Sequence, residues 1–415
     1  MSALCEMKGN RRGFTKNNEN LIVVVSPFLP SVSGESLYAS ALFDLISEKI
    51  REKTFIVLSA RSDNASWDEV LSPNLRVLRV LREEKALKQL NFLILSYYIA
   101  NLRPKILYVV NPVKRDFIGG ILGEPLIIPV LWARLFGIKV IYSMHVRYYK
   151  RDIFERVVTR LRNNVISYVV SSLIQSITKV SFHLANELTL LVSEGSNDEK
   201  QKFSKEYGIS MMHLRNERIL ANFLASENMK RPKEVDEEKV KYILAFGAVS
   251  QKKGFVEAAK AFSIISSLYP EFYLIIGGKI SNDQGRAYMD ELKRNVECMG
   301  ELGKRIILID REVEDEERNW LYFNAKLFIA AYDKMLGPSG TILTALSFGI
   351  PVISTEMGSG GINFDGINVI KTSKNPEDIA HHILEVLSRD PNLNRKSVST
   401  EKNEILEEFE HLINV

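Results

Sequence analysis

Ser339, Gly340 and Thr341 sit in the stretch MLGPSGTILTALSFGIPVIST, residues 335–355, where their types and spacing could hold an anion. Pro338 and Ser339 are helix-start signals, and Thr341 to Phe348 is an apolar helical run. Gly349 and Pro351 then stop it before a strand over Val352 to Thr355. The first amides of a helix have no acceptor within it and lie at the positive end of its dipole. Glycines at 337 and 340 leave the backbone open there to a group such as a phosphate. The stretch carries no acidic residue. A capped helix that binds nothing would show the same pattern, so the surroundings must decide.

The elements around it alternate strand and helix. NLIVVVS, KTFIVLS, PKILYVV and GIKVIYSMHV (strand at 138–144) read as strands, with ESLYASALFDLISEKI at helical spacing between the first two. His145 follows the last of these strands, the ligand-facing end in a doubly wound sheet. After SENMKRPKEVDEEK, polar, charged and broken by Pro232, the alternation restarts. VKYILAFG, EFYLIIGG, RIILID and AKLFIAA are its strands, and GFVEAAKAFSIISSLYP and EDEERNWLYFN its helices. A second parallel sheet is implied.

The expected organisation is a disordered lead-in over 1–20, a first Rossmann-like domain over 21–225 and a linker over 226–239. A second Rossmann-like domain follows over 240–398, then a helix over 399–415 that could cross back to the first. In that helix Ile405, Leu406, Phe409, Leu412 and Ile413 form the apolar side.

Composition narrows the class. With 415 residues, 46% hydrophobic and 26% charged, the chain is long enough for two cores. A net charge of +4 is too small to imply nucleic acid, though it accommodates a basic patch near phosphate or anionic lipid. Cys5 and Cys298 are far apart and belong to no metal-ligand cluster, which fits a reducing cytoplasm and no structural metal. The N-terminal 20 residues have no apolar core of the kind a signal peptide needs. The apolar stretch DFIGGILGEPLIIPVLWARLFGIKV is interrupted by Glu124, Pro125, Pro129 and Arg134 and reads as a buried or membrane-surface helix.

Two Rossmann-like halves, PFLPSVSGES after the first strand, IYSMHV, GAVSQKKG at 247–254 and SGTILTALSFGIPVIST at 339–355 together resemble the GT-B glycosyltransferases of the retaining family 4 type. That resemblance implies two doubly wound domains facing across a cleft. It implies transfer of a sugar from a nucleotide-sugar to an acceptor hydroxyl with retention, without metal or other cofactor, in glycan or glycolipid synthesis. The acceptor would be a saccharide or a lipid-linked one, and peripheral contact with the inner membrane face is compatible with it. A departing nucleoside diphosphate gathers negative charge, and cations and amides must meet it.

The resemblance assigns that task to Lys253, with Lys252 and Lys334 as substitutes for the family's arginine, whose place holds Ala248. It brings Gly34, Gly247 and Gly278 to the donor, lets Ser339, Gly340 and Thr341 supply amides and hydroxyls, and sets His145 against the donor sugar. Glu35 stands where the family has a second glycine and reads as a cap of the following helix. The family's paired glutamates are missing, with Leu336 and Thr344 in their places. Thr344 is thereby expected to face the ribose with one hydroxyl. Each lost carboxylate removes charge-assisted hydrogen bonds of about 1.5 to 3 kcal/mol. A non-catalytic nucleotide- or glycan-binding homologue is the main alternative and a sugar-nucleotide epimerase the next. A dehydrogenase is disfavoured because no GxGxxG follows a first strand.

Overall fold

A computed structural model of the chain describes residues 18–29, 34–61, 65–82, 90–110, 127–144, 157–158, 164–191, 204–208, 212–214, 229–235, 241–280, 282–333, 339–355, 369–389 and 402–414. Its contacts separate residues 1–191, 197–214 and 403–415 from residues 192–196 and 215–402.

The first unit is built on an eight-stranded sheet. Its strands are β1 (Leu21–Val25), β2 (Thr54–Ala60), β3 (Asp68–Ser72), β4 (Leu75–Leu81), β5 (Ile106–Val110), β6 (Lys139–Met144), β7 (Glu187–Leu191) and β8 (Met212–Leu214). The order is β3-β4-β2-β1-β5-β6-β7-β8, parallel throughout except for the β3–β4 pair at one edge. Every residue of β1 and β5 is buried, as in a parallel sheet covered on both faces. The helices are α1 (Gly34–Lys49), α2 (Asn91–Leu102), α3 (Ile127–Leu135) and α4 (Asn164–Leu184). The β3–β4 hairpin, not apparent in the sequence, is pinned by the ion pairs Arg76–Asp68 and Arg79–Glu69. Gly34 opens α1.

The second unit has a six-stranded, wholly parallel sheet, assembled from β9 (Lys241–Phe246), β10 (Phe272–Gly277), β11 (Ile306–Ile309), β12 (Leu327–Ala330), β13 (Val352–Thr355) and β14 (Val369–Thr372). Its helices are α5 (Phe255–Ile265), α6 (Asp283–Glu297), α7 (Asp315–Asn324), α8 (Gly340–Ser347) and α9 (Pro376–Arg389). The order β11-β10-β9-β12-β13-β14 means that the chain leaves β9 in one direction and returns to its other side at β12. The crevice outside the carboxyl ends of β9 and β12 is therefore the switch point, where open α/β sheets receive ligands.

Part of the polar stretch read as a linker belongs to this unit's surface. The Lys230 amide donates to the Glu316 carbonyl at 3.2 Å, and Arg311 grips Glu234 through Nε (2.8 Å) and Nη2 (2.7 Å). The same guanidinium donates to both oxygens of Glu317, at 2.7 and 2.8 Å. Glu234 and Glu317 are held below the usual carboxylate range, first by those bonds. Charge that looks like solvated linker in the sequence is here an ion-pair cluster.

The last helix, α10 (Lys402–Asn414), groups with the first unit. The Phe409 ring meets Phe43 at 6.1 Å and Tyr108 at 5.7 Å between centroids, and Lys139 Nζ donates to the Leu412 carbonyl at 2.8 Å. Leu406, Phe409, Leu412 and Ile413 are all buried.

Candidate anion site at the strand ends of the second unit

Beyond β9 the chain turns through Gly247 and a short 3-10 turn over Gln251–Lys253 before α5. Gly254 ends that turn in the left-handed region at φ 61°, and a Cβ there would lie 2.0 Å from the Ala331 carbonyl oxygen. Glycine is thus what lets the turn press against the end of β12. The Asp333 amide donates to the Lys252 carbonyl at 2.9 Å and holds the two strand ends together.

This packing directs Lys253 inward. Its Nζ lies over the Tyr332 ring, 3.8 Å from the centroid, and desolvation lowers its pKa to about 8. Among the described residues no carboxylate pairs with it. A cation withdrawn from water and lacking an anionic partner is costly unless something charged comes to meet it.

Tyr332 ties the lysine to α8. Its hydroxyl lies 2.6 Å from Thr341 Oγ1, which in turn lies 2.9 Å from Ser339 Oγ. Thr355 Oγ1 donates to the Tyr332 carbonyl at 2.6 Å. Burial raises the Tyr332 phenol to about 12, so it stays protonated as a hydrogen-bonding group. Ser339 occupies the N-cap position, yet its side chain makes no capping bond to the helix amides. Gly340 is exposed, and among the described residues nothing lies within 4 Å of where a Cβ would stand. An uncapped helix start thus opens beside a buried ammonium, the combination an anionic ligand needs.

Most of the residues picked from the sequence gather here. A Cβ on Gly247 would touch Lys253 Cε at 3.4 Å and Thr341 Cγ2 at 3.5 Å, while one on Gly278 would overlap the Gly247 carbonyl oxygen at 1.8 Å. Gly278 therefore serves the close approach of the β9 and β10 ends. Lys252 contributes its carbonyl, and its side chain points to solvent. Ala248 is exposed, so the place of the missing arginine is open.

Thr344 is corrected. It is buried at 3% exposure and its hydroxyl donates to the Gly340 carbonyl at 2.7 Å, the ordinary back-bond of a helical threonine. It therefore does not offer the ribose-facing hydroxyl expected of it. His145, Lys334 and Leu336 lie outside the described residues, and Gly34 belongs to the first unit.

Two contributors escaped the sequence reading. Tyr332 lies two residues beyond the end of β12, at the switch point, a signal available only once the strand order is known. A cavity of about 590 Å3 also opens beside it, lined by Asp333, Thr355, Lys371, Lys374, His381 and His382. Its Lys374 is already paired with Glu257 at 3.2 Å and Asp333 at 2.8 Å.

Two predominantly parallel α/β sheets in one chain match known architectures. The chain superposes on sucrose-phosphate synthase from Thermosynechococcus elongatus with a TM-score of 0.61 at 14% identity, over 95% of each chain. It superposes on Anabaena HepE in complex with UDP at a TM-score of 0.58 and 13% identity, over 95% of this chain and 97% of that one. The putative UDP-N-acetylglucosamine 2-epimerase from Listeria monocytogenes matches at 0.57 and 12%, over 95% of each. The chain has the GT-B fold. Residues 240–389, the GT-B unit that carries the site, match the family model described as Glycosyl transferases group 1. No curated protein sequence matches the chain.

Proposed function

We propose that the protein is a glycosyltransferase that moves a sugar from a nucleotide-sugar to an acceptor hydroxyl, with retention, in glycan or glycolipid synthesis at the cytoplasmic side of a membrane. The observation that carries the reading is the Lys253 ammonium, withdrawn from water on the Tyr332 ring beside the uncapped start of α8. A leaving diphosphate would supply the charge that this arrangement lacks. Lys253 would neutralise it, and the amides of Gly340 and Thr341 would bind its oxygens. The hydroxyl chain from Tyr332 through Thr341 to Ser339 would keep that helix start in place. No metal is assigned a role in this scheme.

The match over 240–389 supports transfer over epimerisation, since the fold alone is common to both. Lys253→Ala is expected to lower turnover of a nucleotide-sugar at least about tenfold while the melting temperature holds or rises. Wild-type turnover in that variant would remove the assignment.

The exposed Ala248 and buried Thr344 favour a second reading, a binding protein that keeps the phosphate site without the sugar-reading groups. Thermal shift by nucleotide-sugars, with neither transfer nor donor hydrolysis across a panel of saccharide and lipid acceptors, would select it.

A further inference from the structure

Helix α4 is inside out. Its buried residues include Ser167, Ser171, Thr178 and Ser181, spaced i, i+4, i+11, i+14 on one face. Its exposed residues include Val165, Ile166, Val169, Leu173 and Val180 on the opposite face, with Val169 at 62% and Leu173 at 60% exposure. A helix covering a sheet in water turns its apolar stripe inward. The inner face of α4 is nevertheless firmly seated. Ser181 Oγ lies 3.1 Å from the buried Tyr142 hydroxyl, and the Phe182 ring packs on Tyr142 and Tyr207. The helix has the length and hydropathy to cross a bilayer, but these contacts make it part of the sheet's cover.

Its neighbours continue the apolar surface. Helix α2 packs against α3, and α3 against α4. Helix α3 and the turn after it expose Leu131, Trp132, Leu135 (79%) and Phe136, and α2 exposes Leu93 and Tyr97. The three helices contain no Asp or Glu, in a chain that has 51. Their charged side chains are Arg134 and Lys179, and Arg103 at the end of α2 adds a third cation, over the Phe136 ring at 5.6 Å.

We propose that the α2–α3–α4 face rests on an anionic lipid bilayer. The apolar side chains would enter the acyl boundary, Trp132 and Tyr97 would sit at headgroup level, and the cations would meet lipid phosphate. A two-fold contact between copies would set this acid-free basic face against itself, like charge against like. A bilayer of opposite sign matches it.

The test is co-sedimentation with phosphatidylcholine vesicles, with and without phosphatidylglycerol, at low salt. The full chain is expected to sediment with the anionic vesicles. Leu135→Ser combined with Leu173→Ser should weaken this at least about tenfold, with an unchanged melting temperature, because both side chains already face outward. Arg134→Glu should weaken binding to the anionic vesicles as well. Absence of binding to either vesicle would overturn the proposal. So would a solution dimer that the double serine variant disperses, since a second copy would then occupy the face.

Discussion

Helices α9 and α4 each lie over a parallel sheet, one in each unit, and they are turned in opposite senses. In α9, Ile379, Ala380, Ile383 and Val386 are buried while Glu377, Asp378 and His381 face outward. In α4 small hydroxylated side chains face the sheet and valine, isoleucine and leucine face away. The inward face of α9 gains stability from apolar burial. That of α4 gains close approach and a hydrogen bond to Tyr142, and relies on the surrounding medium for its outer face. The second unit keeps its irregularity at the strand ends, where a ligand can relieve it. The first unit spreads its irregularity over a whole helical layer.

Four substitutions and one titration probe that contrast. Thr344→Glu is expected to cost the second unit roughly 3 kcal/mol or more, because an unpaired carboxylate would enter a position of 3% exposure. Thermal unfolding without any gain in nucleotide affinity is the outcome; tighter binding at full stability would return Thr344 to the ligand face. Ile383→Ala should cost about 2 to 5 kcal/mol by opening a cavity in the α9 core. The titration concerns Lys253, whose folded pKa of about 8 lies below the ordinary 10.5. Between those values the unfolded chain holds more protons, so the stability of the second unit should rise from pH 8 towards about pH 10, by roughly 2 kcal/mol. Lys253→Met should flatten that rise. Phosphate affinity should fall over the same interval as the ammonium is lost. The smallest effect belongs to Leu173→Ala, within about 0.5 kcal/mol in the absence of lipid. A loss as large as that of Ile383→Ala would mean that the outer face of α4 is covered within the protein itself.

The central strands of both sheets were legible because each is a run of apolar residues between breakers, as in KYILAF and FYLIIG, whereas β3, with the sequence DEVLS, carries no such signal. Helix α8 was legible from its punctuation, and Gly349 does adopt a left-handed φ of 67°. What the sequence withheld was direction. Periodicity shows that a helix has two faces, and the choice of the inward one rests on the assumption that the outside is water, which α4 does not obey. Thr344 was misplaced for a related reason. A register carried over from a carboxylate assumes the same side-chain reach, whereas a threonine can satisfy itself on the Gly340 carbonyl one turn back. Tyr332 went unnoticed because an aromatic after a strand is ordinary until the strand order puts it at the switch point.

The return of α10 to the first unit has a consequence for synthesis. Phe43 and Tyr108 find Phe409 only after about 300 further residues have been translated, roughly 15 to 60 s at typical elongation rates. From the completion of β8 at Leu214 until Phe409 is made, the first unit has all its strands and lacks a piece of its aromatic core. The nascent chain therefore leaves Phe43 and Tyr108 without this partner until α10 has been made, so the unit that is begun first is completed after the second unit's strands have been translated.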